Sequence, residues 1–367
     1  MMTCCTCPNP CERPNSLYFG RMFCSMKAIK SRFTLFSIMP MGVCCKCKNN
    51  CLFLQNNLKK IQRKTICMHA PRVQRNSLQA WLLAMRPKTL SGSAVPVMIA
   101  TALALAMTNW NVRIVPVLLC FLFAFIMQID ANFINDYLDF KRGNDDETRL
   151  GPRRACAQGW ISPQAMRVGI VVTTLLACVV GLPLVCYGGI EMIGVGLLCV
   201  LFCFLYTTHL SYLGLGDLLV LLFFGLIPVC VTYYLAMPST MNHVTWEVVL
   251  SSLACGIIID TLLIVNNYRD LENDRRAHKM TLVVRMGESL SRKVYLMLGW
   301  LGCLLGIVFL FNGHPWAFVF PIIYLVLHTR TYHRMRIKQG KALNQILGET
   351  GRNIFIYGVL VSLGLLV

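Results

Sequence analysis

The chain has 367 residues, of which 56% are hydrophobic and only 14% charged; that balance excludes an ordinary soluble globular protein. The net charge of +19 invites a nucleic-acid partner, but its distribution excludes one: residues 1–88 hold 15 Lys/Arg against one acid, and the rest hold 20 against 15. In the body the cations sit between apolar runs, which is how membrane proteins set their orientation.

Residues 1–67 carry ten of the 19 cysteines. CCTCPNPC (4–11) and CCKCKNNC (44–51) share the pattern Cys-Cys-x-Cys-x3-Cys. That spacing matches no common zinc finger, and the stretch shows neither a span nor the serine-rich pattern of a transit peptide. We expect residues 1–67 to be a Cys-rich basic extension, disordered or an over-extended start, and residues 68–367 to be the functional domain. The nine other cysteines are scattered singly through the apolar body and read as small buried hydrophobes.

Nine apolar segments follow, at roughly 89–110, 114–134, 168–189, 192–207, 217–236, 246–266, 294–312, 315–329 and 353–367. About 20 apolar residues carry a helix across a bilayer, and helix is the default backbone there because its polar groups are satisfied internally. The expected fold is an all-α membrane protein of about nine transmembrane helices around a central cavity. The loops 135–167, 267–293 and 330–352 hold six, seven and six Lys/Arg, whereas 111–113, 190–191, 237–245 and 313–314 together hold Arg113 alone. This bias predicts a cytoplasmic N-terminus, cytoplasmic charged loops and an external C-terminus.

INDYLDFKRGNDDETRLGP (134–152) places five carboxylates and three cations directly after an apolar helix. Asn135-Asp136-Tyr137-Leu138-Asp139 recurs, 131 residues on, as Asn266-Asn267-Tyr268-Arg269-Asp270, and each copy follows an acid inside its apolar run, Asp130 and Asp260. An internal duplication of this kind brings two acidic helix ends face to face across one cavity. On a helix, Asn132, Asn135, Asp136 and Asp139 make one stripe, and Asn266, Asp270 and Asp274 make another.

Clustered carboxylates repel one another unless a cation sits among them. Mg2+ suits them best, because it takes one or two carboxylates and completes its shell with water and substrate phosphates. Lys141, Arg149, Arg153, Arg154, Arg269, Lys279 and Arg285 supply cations for a diphosphate, and Tyr137, Tyr206, Tyr212 and Tyr268 supply aromatic faces to screen a carbocation. With no phosphate-binding glycine loop, the expected substrate is an isoprenyl diphosphate held at the membrane surface with its hydrocarbon among the helices. The competing reading is a magnesium- or proton-coupled transporter. Its acids belong at mid-bilayer, whereas the main cluster here sits at helix ends.

These residues resemble the UbiA superfamily of intramembrane prenyltransferases, over about residues 78–367. The motifs are AMRPKTL (84–90), NDYLDFKRGNDDETRLGPRRA (135–155), GWISPQ (159–164), LYTTHLSYLGLGDLLVLLFFG (205–225), NNYRDLENDRRAHKMTLVVRMG (266–287) and LNQILGETGRNIFIYGVLVSLGL (343–365). The resemblance is closest to the branch that prenylates 1,4-dihydroxy-2-naphthoate, and it implies a cap of cytoplasmic loops and Mg2+-dependent transfer from a polyprenyl diphosphate with loss of CO2. Carried over by position, Asn135, Asp136, Asp139 and Asp145 form the first diphosphate and metal motif, and Asn266, Asp270 and Asp274 the second. Asn267 and Lys279 join the diphosphate set. 4-Hydroxybenzoate, homogentisate and phytylation of the naphthoate are the alternative acceptor chemistries. The expected location is a bacterial inner membrane. Where the branch reads Tyr-Thr-Gly-Gly-Pro and Gly-Lys-Arg-Thr, this chain has Tyr206-Thr207-Thr208-His209-Leu210 and His278-Lys279-Met280-Thr281, departures that bear on the cap and the aromatic pocket.

Overall fold

A computed structural model describes residues 73–143, 149–241 and 243–367, which belong to one compact unit, Val73–Val367. The Cys-rich extension 1–67 and Asp145 lie outside the described residues. A short helix α1 (Leu78–Met85) leads into α2 (Pro87–Met107) and α3 (Ile114–Arg142). The rods α4 (Pro163–Gly188), α5 (Glu191–Leu210), α6 (Gly216–Ala236), α7 (Trp246–Arg276) and α8 (Leu282–Phe311) follow. A single turn, Pro315–Val319, precedes α9 (Ile322–Ile337), and α10 (Leu343–Leu366) ends the chain.

Local chemistry sets the ends. Ser162 caps α4 by accepting from the Ala165 amide at 3.2 Å, with Pro163 at the first helical position. Thr281 caps α8 through the Val284 amide, also at 3.2 Å. α3 stops at Gly143, whose φ of 73° admits the left-handed turn that returns an N–H to the Asp139 and Phe140 carbonyls.

Seven helices, α2 to α8, are long and apolar enough to cross a membrane. That count holds among the described residues and by length and composition, and the expected nine is not reached on that measure. The last two apolar segments fall in Pro315–Val319 with α9 and in α10, which carry more polar residues per turn. Outward leucines and valines such as Leu118, Leu122, Val171 and Leu175 are exposed, a lipid-facing band that marks an integral membrane protein. Where α6 meets α7 the backbones touch: a Cβ on Gly225 falls 2.8 Å from the Gly256 Cα. Such small-residue contact is a mode of helix packing in lipid, where burial of apolar surface supplies no drive.

Three boundaries differ from the sequence reading in a way that matters. α3 and α7 run past their apolar stretches to Arg142 and Arg276, so both acidic motifs are helical. α10 begins at Leu343, ten residues before its apolar run, so Arg352, counted among the loop cations, lies inside a helix. α2 and α10 run parallel from the same end of the bundle: a Cβ on Gly358 falls 2.8 Å from Val95 Cγ1.

Candidate active site

The first motif is built where α3 passes the α1–α2 corner. Asn132 Nδ2 donates to the Met85 carbonyl at 2.9 Å and to Thr89 Oγ1 at 3.3 Å. This holds the corner residue Arg86, which has a φ of 52°, unusual for a non-glycine. Arg86 lines the cavity and lies within electrostatic reach of Asp136, Asp139, Arg149 and Arg154. Burial first, and then Arg154, pulls its guanidinium down to about 9, which leaves it a cation at neutral pH.

Asp136 is 1% exposed, and its two oxygens accept from the backbone amides of Ala155 at 2.8 Å and Cys156 at 2.9 Å. Its carboxylate anchors the segment that leads from Arg149 to Cys156. Asp139, one turn nearer the helix end, pairs with Arg154 at 2.6 Å. Asn135 Oδ1 accepts from Thr207 Oγ1 at 2.5 Å. Beside it, Arg142 donates to the Thr207 and Thr208 carbonyls, each at 2.7 Å, and lies over the Tyr212 ring at 4.8 Å. The π-helical turn Tyr206–Leu210 leaves those carbonyls for it.

The second motif centres on Arg269, 3% exposed. It grips Asp270 with two bonds, Nε to Oδ1 at 2.9 Å and Nη2 to Oδ2 at 2.5 Å. Nη2 also donates to Asn266 Oδ1 at 2.9 Å, and Nη1 to Asn344 Oδ1 at 3.0 Å. Asn344 Nδ2 in turn donates to the Leu150 carbonyl at 2.7 Å. Gly151 lies against the same guanidinium, where a Cβ would come 2.8 Å from Nη2. The segment Arg149–Cys156 is therefore a strap, fastened to Asp136 at one end and to Arg269 and Asn344 at the other. It joins the two motifs across the mouth.

The structure brings Asp139, Asp270 and Asp274 together, with Asp270 and Asp139 the acidic neighbours of Asp274. Lys279 Nζ stands 3.7 Å from Asp274 Oδ1, while Oδ2 is buried without a hydrogen-bond partner among the described residues. Among the described residues, no three His, Cys, Asp or Glu side chains enclose an ion by themselves. An orphaned carboxylate oxygen in an all-oxygen cluster fits Mg2+, which leaves most of its shell to water and phosphate.

Other expected residues are placed differently. Arg153 lines the cavity at its mouth, and Arg149 lies over Gly151 with its Nε on the Pro152 carbonyl at 3.3 Å. Lys141 is exposed at the end of α3 and Asn267 turns into a small polar pocket with Tyr206, Asp217 and Lys279. The intramembrane acids diverge. Asp130 is fully satisfied by Thr173 at 2.5 Å and Thr174 at 2.9 Å, a clamp between α3 and α4. Asp260 keeps one oxygen without a partner among the described residues and has Asp217 as its charged neighbour. Arg86, Thr207, Gly151 and Asn344 were not singled out from the sequence.

Below the mouth, reached past Asn135 and Asn266, lies an apolar cavity of about 1200 Å3, larger than the usual drug-sized pocket. It is walled by α2, α3, α4, α5, α6, α7 and α10, and reaches Val97, Cys120 and Met192 at its far end. From Asn135 to Cys120 along α3 is about 22 Å at the helical rise.

Fold and site together define a polytopic membrane enzyme, with an acid- and arginine-lined mouth above a long hydrocarbon cavity. Residues 93–357 match the UbiA prenyltransferase family, and the chain belongs to it. It is similar to the 1,4-dihydroxy-2-naphthoate octaprenyltransferase of Escherichia coli (strain K12), 33% identical over 299 residues, covering 78% of this chain and 95% of that one. The protein of the same description from Mycobacterium tuberculosis (strain ATCC 25618 / H37Rv) is 30% identical, covering 78% and 96%. The UbiA prenyltransferase domain-containing protein 1 homolog of Drosophila melanogaster is 29% identical, covering 77% and 78%. Among solved structures, a digeranylgeranylglyceryl phosphate synthase superposes with a TM-score of 0.51 at 18% identity, covering 78% and 98%. A UbiA homolog from Archaeoglobus fulgidus bound to Cd2+ gives 0.50 at 15%, covering 77% and 99%. Both share the fold. The chain is a prenyltransferase.

Proposed function

We propose that the enzyme transfers a polyprenyl group from its diphosphate to 1,4-dihydroxy-2-naphthoate, releasing diphosphate and CO2 and forming demethylmenaquinol, the reduced form of demethylmenaquinone. The observation that carries this is the strap across the mouth: two acidic motifs and three buried or half-buried arginines, Arg86, Arg154 and Arg269, converge above a cavity that suits a long hydrocarbon. The naphthoate acceptor rests on the descriptions of the bacterial relatives.

Asp139, Asp270 and Asp274 would hold Mg2+, which supplies neutralisation of charge on the departing diphosphate when bound. Asp136 is assigned to positioning, because its lone pairs serve two backbone amides. Arg86, Arg153 and Arg154 bind the diphosphate from the α3 side, and Arg269 with Asn266 from the α7 side. Fixed cations at the mouth stabilise the leaving group without reorganising. As the allylic C–O bond breaks, its electron pair leaves with the diphosphate. The ring carbon bearing the carboxylate attacks the allylic carbon. The carbon–carboxylate bond then breaks, CO2 departs, and the electron pair restores aromaticity. No net proton is lost. The basic loops assign the mouth to the cytoplasmic face, and a bacterial inner membrane is the proposed location.

The test uses membranes containing the full chain, Mg2+, a polyprenyl diphosphate and either dihydroxynaphthoate or 4-hydroxybenzoate. Prenylated naphthol with stoichiometric CO2 is expected. Product from 4-hydroxybenzoate alone would overturn the acceptor.

A further inference from the structure

Among the described residues, three cations line the cavity: Arg86, Arg153 and Arg352. The first two stand at the mouth. Arg352 does not. It lies on α10, eight residues beyond Asn344, or about 12 Å along the helix axis. The parallel register of α10 with α2, fixed where Gly358 meets Val95, sets Arg352 level with Thr89, one turn below Arg86. A second contact agrees. A Cβ on the adjoining Gly351 would lie 3.9 Å from Leu262 Cδ1, and Leu262 is one turn below Asn266 on α7. Arg352 is thus about 5 Å deeper than the diphosphate cradle, at the depth where an acceptor must meet the allylic carbon.

Its charge is poorly matched. Its hydrogen bond among the described residues runs from Nη2 to Asn353 Oδ1 at 3.5 Å, the outer limit of such a bond. The nearest acid on its own helix face, Glu349, is committed to Arg334 at 2.7 Å. Thr331 Oγ1 engages Asn353 Nδ2 at 3.0 Å and holds that amide in place. A cation at membrane depth that faces a cavity marks a ligand site by default.

We propose that Arg352 binds the carboxylate of the aromatic acceptor. This rests on the transferase reading above and assigns it an acceptor-recognition residue. The guanidinium fork matches a carboxylate with two parallel bonds. Held from α10, the carboxylate directs the carbon that bears it toward the allylic carbon beneath the mouth. When that carboxylate leaves as neutral CO2, the attraction to Arg352 ends, which favours product release. The diphosphate is the other anion available, and the depth of Arg352 favours the carboxylate.

The experiment measures KM for dihydroxynaphthoate and for polyprenyl diphosphate separately, in wild type, Arg352→Gln and Arg352→Lys, using the full chain in membranes. The Ki of 1,4-naphthalenediol, which lacks the carboxylate, is measured alongside. The expected result is an acceptor KM raised about 10- to 100-fold in Arg352→Gln, partial recovery in Arg352→Lys, and no change in the donor KM or in the diol Ki. A rise in donor KM instead would assign Arg352 to the diphosphate and overturn the proposal. Unchanged values for both substrates would leave it a lipid-facing cation and overturn it equally. If Arg352→Gln gives no turnover, acceptor binding is read directly by equilibrium dialysis, and retained affinity would refute the role. Wild type that prenylates only a carboxylate-free ring would refute the naphthoate acceptor on which the proposal rests.

Discussion

Arg269 Nη1 donates to Asn344 Oδ1 at 3.0 Å, and this bond ties the second acidic motif to α10. Because Asn344 also holds the Leu150 carbonyl, the amide is the knot between α7, α10 and the strap. Asn344→Ala removes both bonds at once. A loss of about 1–3 kcal/mol in stability is expected, with a raised donor KM, read by thermal unfolding in detergent and by steady-state kinetics. A donor KM equal to wild type would show that the strap does not shape the diphosphate site.

Asp136 and Asp139 sit three residues apart on one stripe but do different work. Asp136→Asn replaces one acceptor oxygen with a donor facing a backbone N–H, which costs about 1–3 kcal/mol. The expected signature is protease sensitivity in the strap around Arg149–Cys156. Asp139→Ala and Asp270→Ala leave the protein inserted and folded but abolish turnover. Near-normal turnover in either would remove that residue from the site.

Gly151 is placed by contact, not by backbone freedom. Gly151→Ala sets a methyl 2.8 Å from Arg269 Nη2, so the guanidinium must shift off Asp270 or the strap must lift. A donor KM raised about tenfold, equivalent to about 1.4 kcal/mol, with kcat nearly kept, is expected from substrate titrations. An unchanged KM would mean the strap has slack at this point.

Asp130 is the control. Its carboxylate is spent on Thr173 and Thr174, so Asp130→Asn lowers the melting temperature and leaves both KM values in place. A selective rise in either KM would give Asp130 a part in the chemistry that its bonding does not suggest.

Chelation provides a direct reading of the metal. EDTA-treated membranes are expected to lose turnover and regain it with Mg2+. Undiminished activity after exhaustive chelation would remove the metal from the site.

The sequence made the stripes legible because charge has few reasons to accumulate at an apolar helix end, and because the spacing recurs 131 residues later. It did not say which carboxylate faces substrate and which faces backbone. Asp136 and Asp139 share one stripe, and only the path of the strap distinguishes them. Arg86 stood within a recognised motif, but its left-handed corner is not written in residue type, since glycine is the usual marker of positive φ. Asn344, Thr207 and Gly151 are ordinary residues made important by partners more than 50 positions away. Arg352 was absorbed into a count of loop cations because α10 begins with a polar stretch, LNQILGETGR, that hydropathy reads as loop. Hydropathy also set the count of spans, and α9 and α10 lie at its margin.

The central claim is that Asp139 and Asp270, from opposite halves of the chain, act on one diphosphate. A double-mutant cycle on donor affinity tests it most directly, using Asp139→Ala, Asp270→Ala and the double variant with Mg2+ and a radiolabelled polyprenyl diphosphate. Residues serving one ligand are coupled, so the double variant is expected to lose little more affinity than either single one. Losses that add in full, or donor binding that survives in the double variant, would contradict a shared site.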